Sequence, residues 1–460
     1  MDRERAPAKF LLVIAAIALA CAPAEKGGPP PPPPEQLPTE PIFYVDASSG
    51  ADTNDGRTAK TAFKTLNRAA SSVKPGWTVR VMTGTYTSDG TTNPLTVSVS
   101  GTPDAWITFA AAEGQRPIIQ IPRGNGAWAG IHLFGVAYVI IDGFEIAGQN
   151  GSITAGDAAA NDGSQAWLNH NGIFIDGAGY ADVHPSVPHD IVIRNSVIHD
   201  CAGAGIEVNV ADAITIEHNR IYDNAWWTVF GTSGIGMYHL TDAPGATTKN
   251  GYRNFIVGNL SYGNRNNVLF LAGHPPAIYD GNGIIVDDSL HTQDALGVHD
   301  VKGVPYTGRT YIANNITHDN GGRGIHLYRS AHVDIVNNTA WNDMLSDSEY
   351  ILSGEIDALD STDVNVVNNI GANLVGKDVT FADGNRYDYN VWEGKKVPYK
   401  GPNDVVGDPQ LTDPANGNFA PRAGSPALRS ATATLAPSDD IFGTARPAGA
   451  IDRGAVQVSR

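Results

Sequence analysis

Glu207, His239, Asp287, Asp288, His326, Arg329, Asp357 and Asp360 fall at matching places in, or directly after, five short segments of this chain, with Tyr238 and Tyr328 beside them. The segments are residues 205–209, 234–238, 283–287, 324–328 and 355–359, each a corner residue, an isoleucine and a few alternating residues. Side chains alternate along a strand, so turning Ile206, Ile235, Ile284, Ile325 and Ile356 inward gives one outward column of Glu207, Gly236, Ile285, His326 and Asp357. The next outward column holds Asn209, Tyr238, Asp287, Tyr328 and Leu359, followed by the neighbours His239, Asp288, Arg329 and Asp360. Carboxylates gathered in this way repel one another unless a cation or protons intervene.

Two chemistries resolve that conflict. In the first, Asp287 and Asp288, completed by Asp357 or Glu355, form an all-oxygen shell suited to Ca²⁺. The ion would neutralise a uronate carboxylate, and a neighbouring base would remove the C5 proton in β-elimination. His326 and Tyr328 are proton-handling candidates. Glu207, Tyr238, His239, Trp226, Trp227 and Lys302 are candidates for substrate contact. In the second chemistry, two carboxylates serve as acid and base on a glycosidic bond. Asp288 and Asp360 share a column two rungs apart, about 9.6 Å before the side chains lean, near the inverting range of about 6.5–9.5 Å. A third reading is non-catalytic: a surface glycan-binding or adhesive protein using Trp226, Trp227 and the tyrosines.

These columns exist only if the segments stack. A second phrase recurs with them, Ile216-Glu217-His218-Asn219, Ile256-Val257-Gly258-Asn259, Ile312-Ala313-Asn314-Asn315, Ile335-Val336-Asn337-Asn338 and Val366-Val367-Asn368-Asn369. The shortest Asn-to-Asn steps are 24 residues (195 to 219) and 23 residues (315 to 338), one turn of a coil that stacks on itself. The fold predicted is all-β, a single-stranded right-handed parallel β-helix over roughly 115–395. Asn219, Asn259, Asn315, Asn338 and Asn369 are expected to form an internal ladder at one corner. Residues 224–233 and 275–307 read as inserted loops, where binding elements usually sit.

The ends assign the compartment. Arg3, Arg5 and Lys9 precede an apolar run from Phe10 to Ala20, too short to span a bilayer and suited to a signal peptide. Ala18-Leu19-Ala20-Cys21 looks like a lipoprotein box, and residues 22–41, with Pro29 to Pro34, read as a stiff tether. The expectation is an exported, membrane-anchored monomer. The formal charge of −17 opposes nucleic-acid binding and suits cation sites. With Cys21 and Cys201 the only cysteines, a cysteine-based zinc site is excluded.

The run Tyr44-Val45-Asp46, Asp55-Gly56, Ala62-Phe63-Lys64-Thr65-Leu66, Lys74-Pro75-Gly76 and Gly84-Thr85-Tyr86 resembles the opening of exported right-handed β-helix proteins, including the family-9 pectate lyases. Val406-Gly407-Asp408-Pro409, Ala423-Gly424-Ser425-Pro426-Ala427 and Ile451-Asp452-Arg453-Gly454-Ala455 resemble the closing segment of the same superfamily. The resemblance covers residues 42–456 and implies a short N-terminal helix plugging the first coil. It also implies calcium-assisted lyase chemistry on an acidic polysaccharide, with a Lys or Arg base. Arg329 and Lys302 would then be candidates, Arg329 also as a clamp on the substrate carboxylate. The aligned strands carry no lysine of the family-9 kind.

Overall fold

The computed structural model describes residues 41–177, 186–293, 304–351, 353–381 and 384–459. Lys302, expected at the site, lies outside them, as do residues 1–40 with the signal segment, Cys21 and nearly all of the tether. Short runs rich in Ile and Val, closed every few residues by Asn or Gly, cannot continue as long strands. They bend at each polar corner and build three all-parallel sheets of eleven, nine and eleven strands. Each full turn of the chain adds one strand to each sheet, which makes a parallel β-helix.

The nine-stranded sheet carries the candidate columns. Its register pairs Ile206 with Ile235, Ile284, Ile325 and Ile356 in succession, and the neighbouring residues follow as expected. All five isoleucines are fully buried. The stack starts earlier than residue 115: Ile42–Val45 pairs in parallel with Thr78–Val81 and is the first strand of its sheet. A helix at Leu66–Ala70, capped by Thr65, buries Leu66, Ala69 and Ala70 over that end of the core.

The Asn-Asn phrase has a two-part explanation. Asn314, Asn337 and Asn368 take φ of 55°, 54° and 62°, the left-handed region that asparagine tolerates better than most residues. This turns the chain between sheets. The second asparagine then points inward. Asn315 Oδ1 accepts from Asn259 N at 2.9 Å and Asn259 Nδ2 at 3.0 Å, while Asn315 Nδ2 donates to Ile256 O at 2.8 Å. The expected ladder runs through Asn219, Asn259, Asn315, Asn338 and Asn369 and continues to Asn390 and Asp404. A second ladder, not anticipated, joins Asn224, Asn264, Asn320 and Asp343 at the corner leading into the nine-stranded sheet.

The C-terminal tail folds back along the outside of the stack. Asn314, Asn337 and Asn368 side chains donate to the carbonyls of Asp439, Asp452 and Thr432, and Arg453 Nη1 donates to Asn390 O at 2.7 Å. The tail therefore touches four successive rungs.

Candidate active site

The expected columns, as far as Asp287 and Tyr328, lie side by side on the nine-stranded sheet and form the floor of the site. A Cβ at Gly236 would meet Glu207 Oε2 at 2.5 Å, so only glycine there lets Glu207 lean toward the next rung. Ile285, 7 % exposed, continues the floor. Asn209, with its amide nitrogen turned toward Glu207, donates to Glu207 Oε1 at 3.0 Å.

Three carboxyl groups surround this floor. Burial, then the charge of Asp280, pushes Glu207 up to about 8. Burial raises Asp280 as well, opposed by the nearby His326 and Arg323 and by the hydrogen bond from Asn282. Asp287 is lifted well above the usual carboxylate range by burial, then by Asp280 and Asp288, against a hydrogen bond from Gln293 Nε2 at 2.5 Å. Each of the three keeps a partly exposed edge, so solvent screens part of these shifts. Burial and mutual charge shift all three toward their protonated forms, most strongly at Asp287 and Glu207.

His326 faces this cluster. Its Nδ1 is hydrogen-bonded to Asp357 Oδ1, and the other carboxylate oxygen is ion-paired with Arg323 Nε at 2.9 Å. A carboxylate only accepts, so Nδ1 carries the ring proton and Nε2 is the remaining basic nitrogen. Tyr238 and Tyr328 flank Asp287 in register, and burial raises the Tyr328 phenol so that it keeps its proton. The Arg329 guanidinium lies 5.0 Å from the centre of the Tyr328 ring, at the partly exposed rim. Tyr279 and Tyr350, with ring centres 4.7 Å apart, form an aromatic wall beside these residues.

Several expectations are corrected. The four carboxylates expected to hold Ca²⁺ are not gathered into one shell, and no group of three or more His, Cys, Asp or Glu could hold a metal among the described residues. Asp357 is bonded to His326 and Arg323. Glu355 is fully buried, accepting from Asp343 N at 3.2 Å and Asn373 Nδ2 at 2.9 Å at the end of the second ladder. Asp288 is also fully buried, accepting from Thr292 N and Gln293 N and pairing with His239 Nε2 at 2.8 Å. His239 and Asp288 have φ of 52° and 49°. Strand alternation has ended there, and their side chains serve the corner in place of the substrate or ion contacts expected of them. Asp288 therefore cannot flank a sugar with Asp360, whose side chain is 61 % exposed at the rim. Trp226 and Trp227 spend their indole N–H groups on Gly263 O and Asn150 O, and Trp227 packs against Ile153, Leu168 and Ala202. They tie a neighbouring insertion to the coil, away from the Glu207–His326 column.

A family model described as a right handed beta helix region matches residues 129–370, more than half of the chain. The chain belongs to this family. Among solved structures, the β-helix is similar to pectate lyase Pel9A, with a TM-score of 0.57 and 16 % identity over 91 % of this chain and 96 % of that one. A rhamnogalacturonan lyase gives a TM-score of 0.44 at 15 % identity, covering 80 % and 86 %. A GH136 lacto-N-biosidase from Eubacterium ramulus gives 0.44 at 14 % identity, covering 80 % and 67 %. These are likenesses of fold. No curated protein matches the chain by sequence.

Sequence reasoning missed Asp280, Arg323, Tyr279 and Tyr350. All four lie in insertions or at a corner, outside the alternating strands. The run Asp280-Gly281-Asn282, just before the Gly283 corner, was the available signal.

Proposed function

We propose that the protein cleaves an acidic polysaccharide by β-elimination, with protons in place of calcium neutralising the substrate. The arrangement supporting this is Glu207, Asp280 and Asp287, all pushed toward their protonated forms by burial, beside the His326–Asp357 pair on the Gly236–Ile285 floor. A uronate above that floor would have its carboxylate met by protonated carboxyl groups, which neutralise it by donating hydrogen bonds. His326 Nε2 takes the C5 proton. The C5–H electron pair forms the C4–C5 double bond, the C4–O bond breaks, and the leaving oxygen takes a proton from the Tyr328 phenol. Arg329 acts as a rim clamp on a substrate carboxylate, since a guanidinium does not give up its proton readily. The anticipated calcium shell does not fit these residues, and no step is assigned to it. The charged and apolar run of residues 3–20 supports an activity outside the cytoplasm, membrane-anchored if Cys21 is acylated.

One observation favours a second reading. Glu207 and Asp287 stand two rungs and two residues apart, on the order of 12 Å between backbones, and the lean of Glu207 over Gly236 brings the carboxyls closer. That suits an inverting hydrolase with Glu207 as the acid. Ultraviolet absorbance on pectate, alginate, glycosaminoglycans and bacterial exopolysaccharides, with and without EDTA, separates the readings. The expected result is new absorbance from unsaturated uronide that EDTA leaves unchanged. Suppression by EDTA would restore calcium. New reducing ends without absorbance would mean hydrolysis, and neither signal would mean a binding protein.

A further inference from the structure

Arg323 precedes the Gly324 corner of the His326 rung and is 6 % exposed. The equivalent positions on the other aligned rungs hold Ala204, Ser233, Asn282 and Gly354, so nothing in the coil itself calls for arginine there. All three side-chain nitrogens are engaged, and in different directions. Nε meets Asp357 Oδ2 at 2.9 Å. Nη1 donates to Tyr279 O at 3.2 Å, and Nη2 donates to Tyr350 O at 3.1 Å. Its backbone N–H donates to Asn282 Oδ1 at 2.8 Å, and Asn282 Nδ2 donates to Asp280 Oδ1 at 3.0 Å. Residues 265–282 and 343–351 thus share one guanidinium, aided by Ser348 Oγ donating to Ile278 O at 2.6 Å. A buried guanidinium is costly to desolvate unless paired and hydrogen-bonded, and this one is both. Lysine, a single point donor, could replace the contact to Asp357 and lose the fork.

We propose that Arg323 is a positioning residue that joins the aromatic wall of Tyr279 and Tyr350 to the His326–Asp357 pair, so that a sugar gripped by the wall is held in register with the proton-transferring nitrogen. The inference rests on the acid–base reading of this site.

The test compares Arg323→Lys and Arg323→Met in the full chain. Arg323→Lys keeps a charge against Asp357 and drops the two carbonyl bonds. KM is expected to rise about tenfold, the loss of roughly one charged hydrogen bond, with kcat changed less than about threefold. Arg323→Met removes both links, so kcat also falls, by about 100-fold. Two readouts need no substrate. Arg323→Met should abolish the low-field His326 imidazole N–H resonance, which Arg323→Lys retains. Both variants should speed proteolytic cleavage within residues 265–282 and 343–351. The inference is overturned if both variants lower thermal stability alone, with kcat, KM, the resonance and the cleavage rate at wild-type values. If the wild type turns over nothing on the polysaccharide panel, the proposed reaction fails, while the resonance and proteolysis still decide the role of Arg323.

Discussion

Replacing Glu207 with glutamine removes a carboxyl whose proton the fold retains, and the effect on stability has a sign set by that burial. Folding lifts this group from the ordinary 4.5 to about 8. Below pH 4.5 it is neutral in both folded and unfolded chains. Between 4.5 and about 8 the unfolded chain ionises freely while the folded chain holds its proton, so wild-type stability falls as pH rises and levels off above that window. At about 1.36 kcal/mol per pH unit the full loss is at most about 4.8 kcal/mol. Glu207 keeps a partly exposed edge, where solvent screens part of the shift, so about 2 kcal/mol is the expected visible effect. Glutamine has nearly the same shape and does not ionise. Glu207→Gln should therefore match the wild type near pH 4 and exceed it by about 2 kcal/mol near pH 9. Urea unfolding of both proteins across that range, followed by tryptophan fluorescence, measures the gap. A gap that stays constant, or narrows as pH rises, refutes the retained-proton account of the site.

Asp287→Ala should lower turnover at least about 100-fold while leaving unfolding stability equal or higher, because an outward carboxyl held off its usual charge is removed; activity and urea unfolding on one preparation check both. Asn315→Leu should cost about 3 kcal/mol, since the Asn259 N–H and amide lose their acceptor and Ile256 O loses its donor inside the coil; unfolding midpoints read it. Trp227→Ala should lower stability by about 2 kcal/mol through lost packing and leave KM unchanged, which steady-state kinetics would show.

The floor of the site was legible because a parallel stack repeats one phrase per rung. Once Ile206, Ile235, Ile284, Ile325 and Ile356 are set inward, alternation fixes every residue up to Asp287 or Tyr328. It stops being informative one residue later. His239 and Asp288 turn left-handed, and their side chains leave the face that periodicity assigned to them. Glu355 misled for a different reason. It stands where the other rungs place glycine, and Asp343 takes the asparagine place in a ladder whose spacing the insertions had blurred, so the two carboxyls meet inside the corner. Asp280 and Arg323 carry much of the local electrostatics and belong to no periodic element, which leaves sequence patterning nothing to align.

A stack in which each rung contacts only its neighbours would fray from its open end, one turn at a time. The tail changes that. Because Asn314, Asn337, Asn368 and Asn390 all hold segments between residues 432 and 454, the last rung cannot peel away without loosening three others. The rungs of His326 and Asp357, proposed to carry the chemistry, lie within the strapped length. Their opening is tied to an all-or-none event near the C-terminus, and the chain gains that cooperativity only when its final thirty or so residues (roughly the length of one β-helix turn) have been laid down.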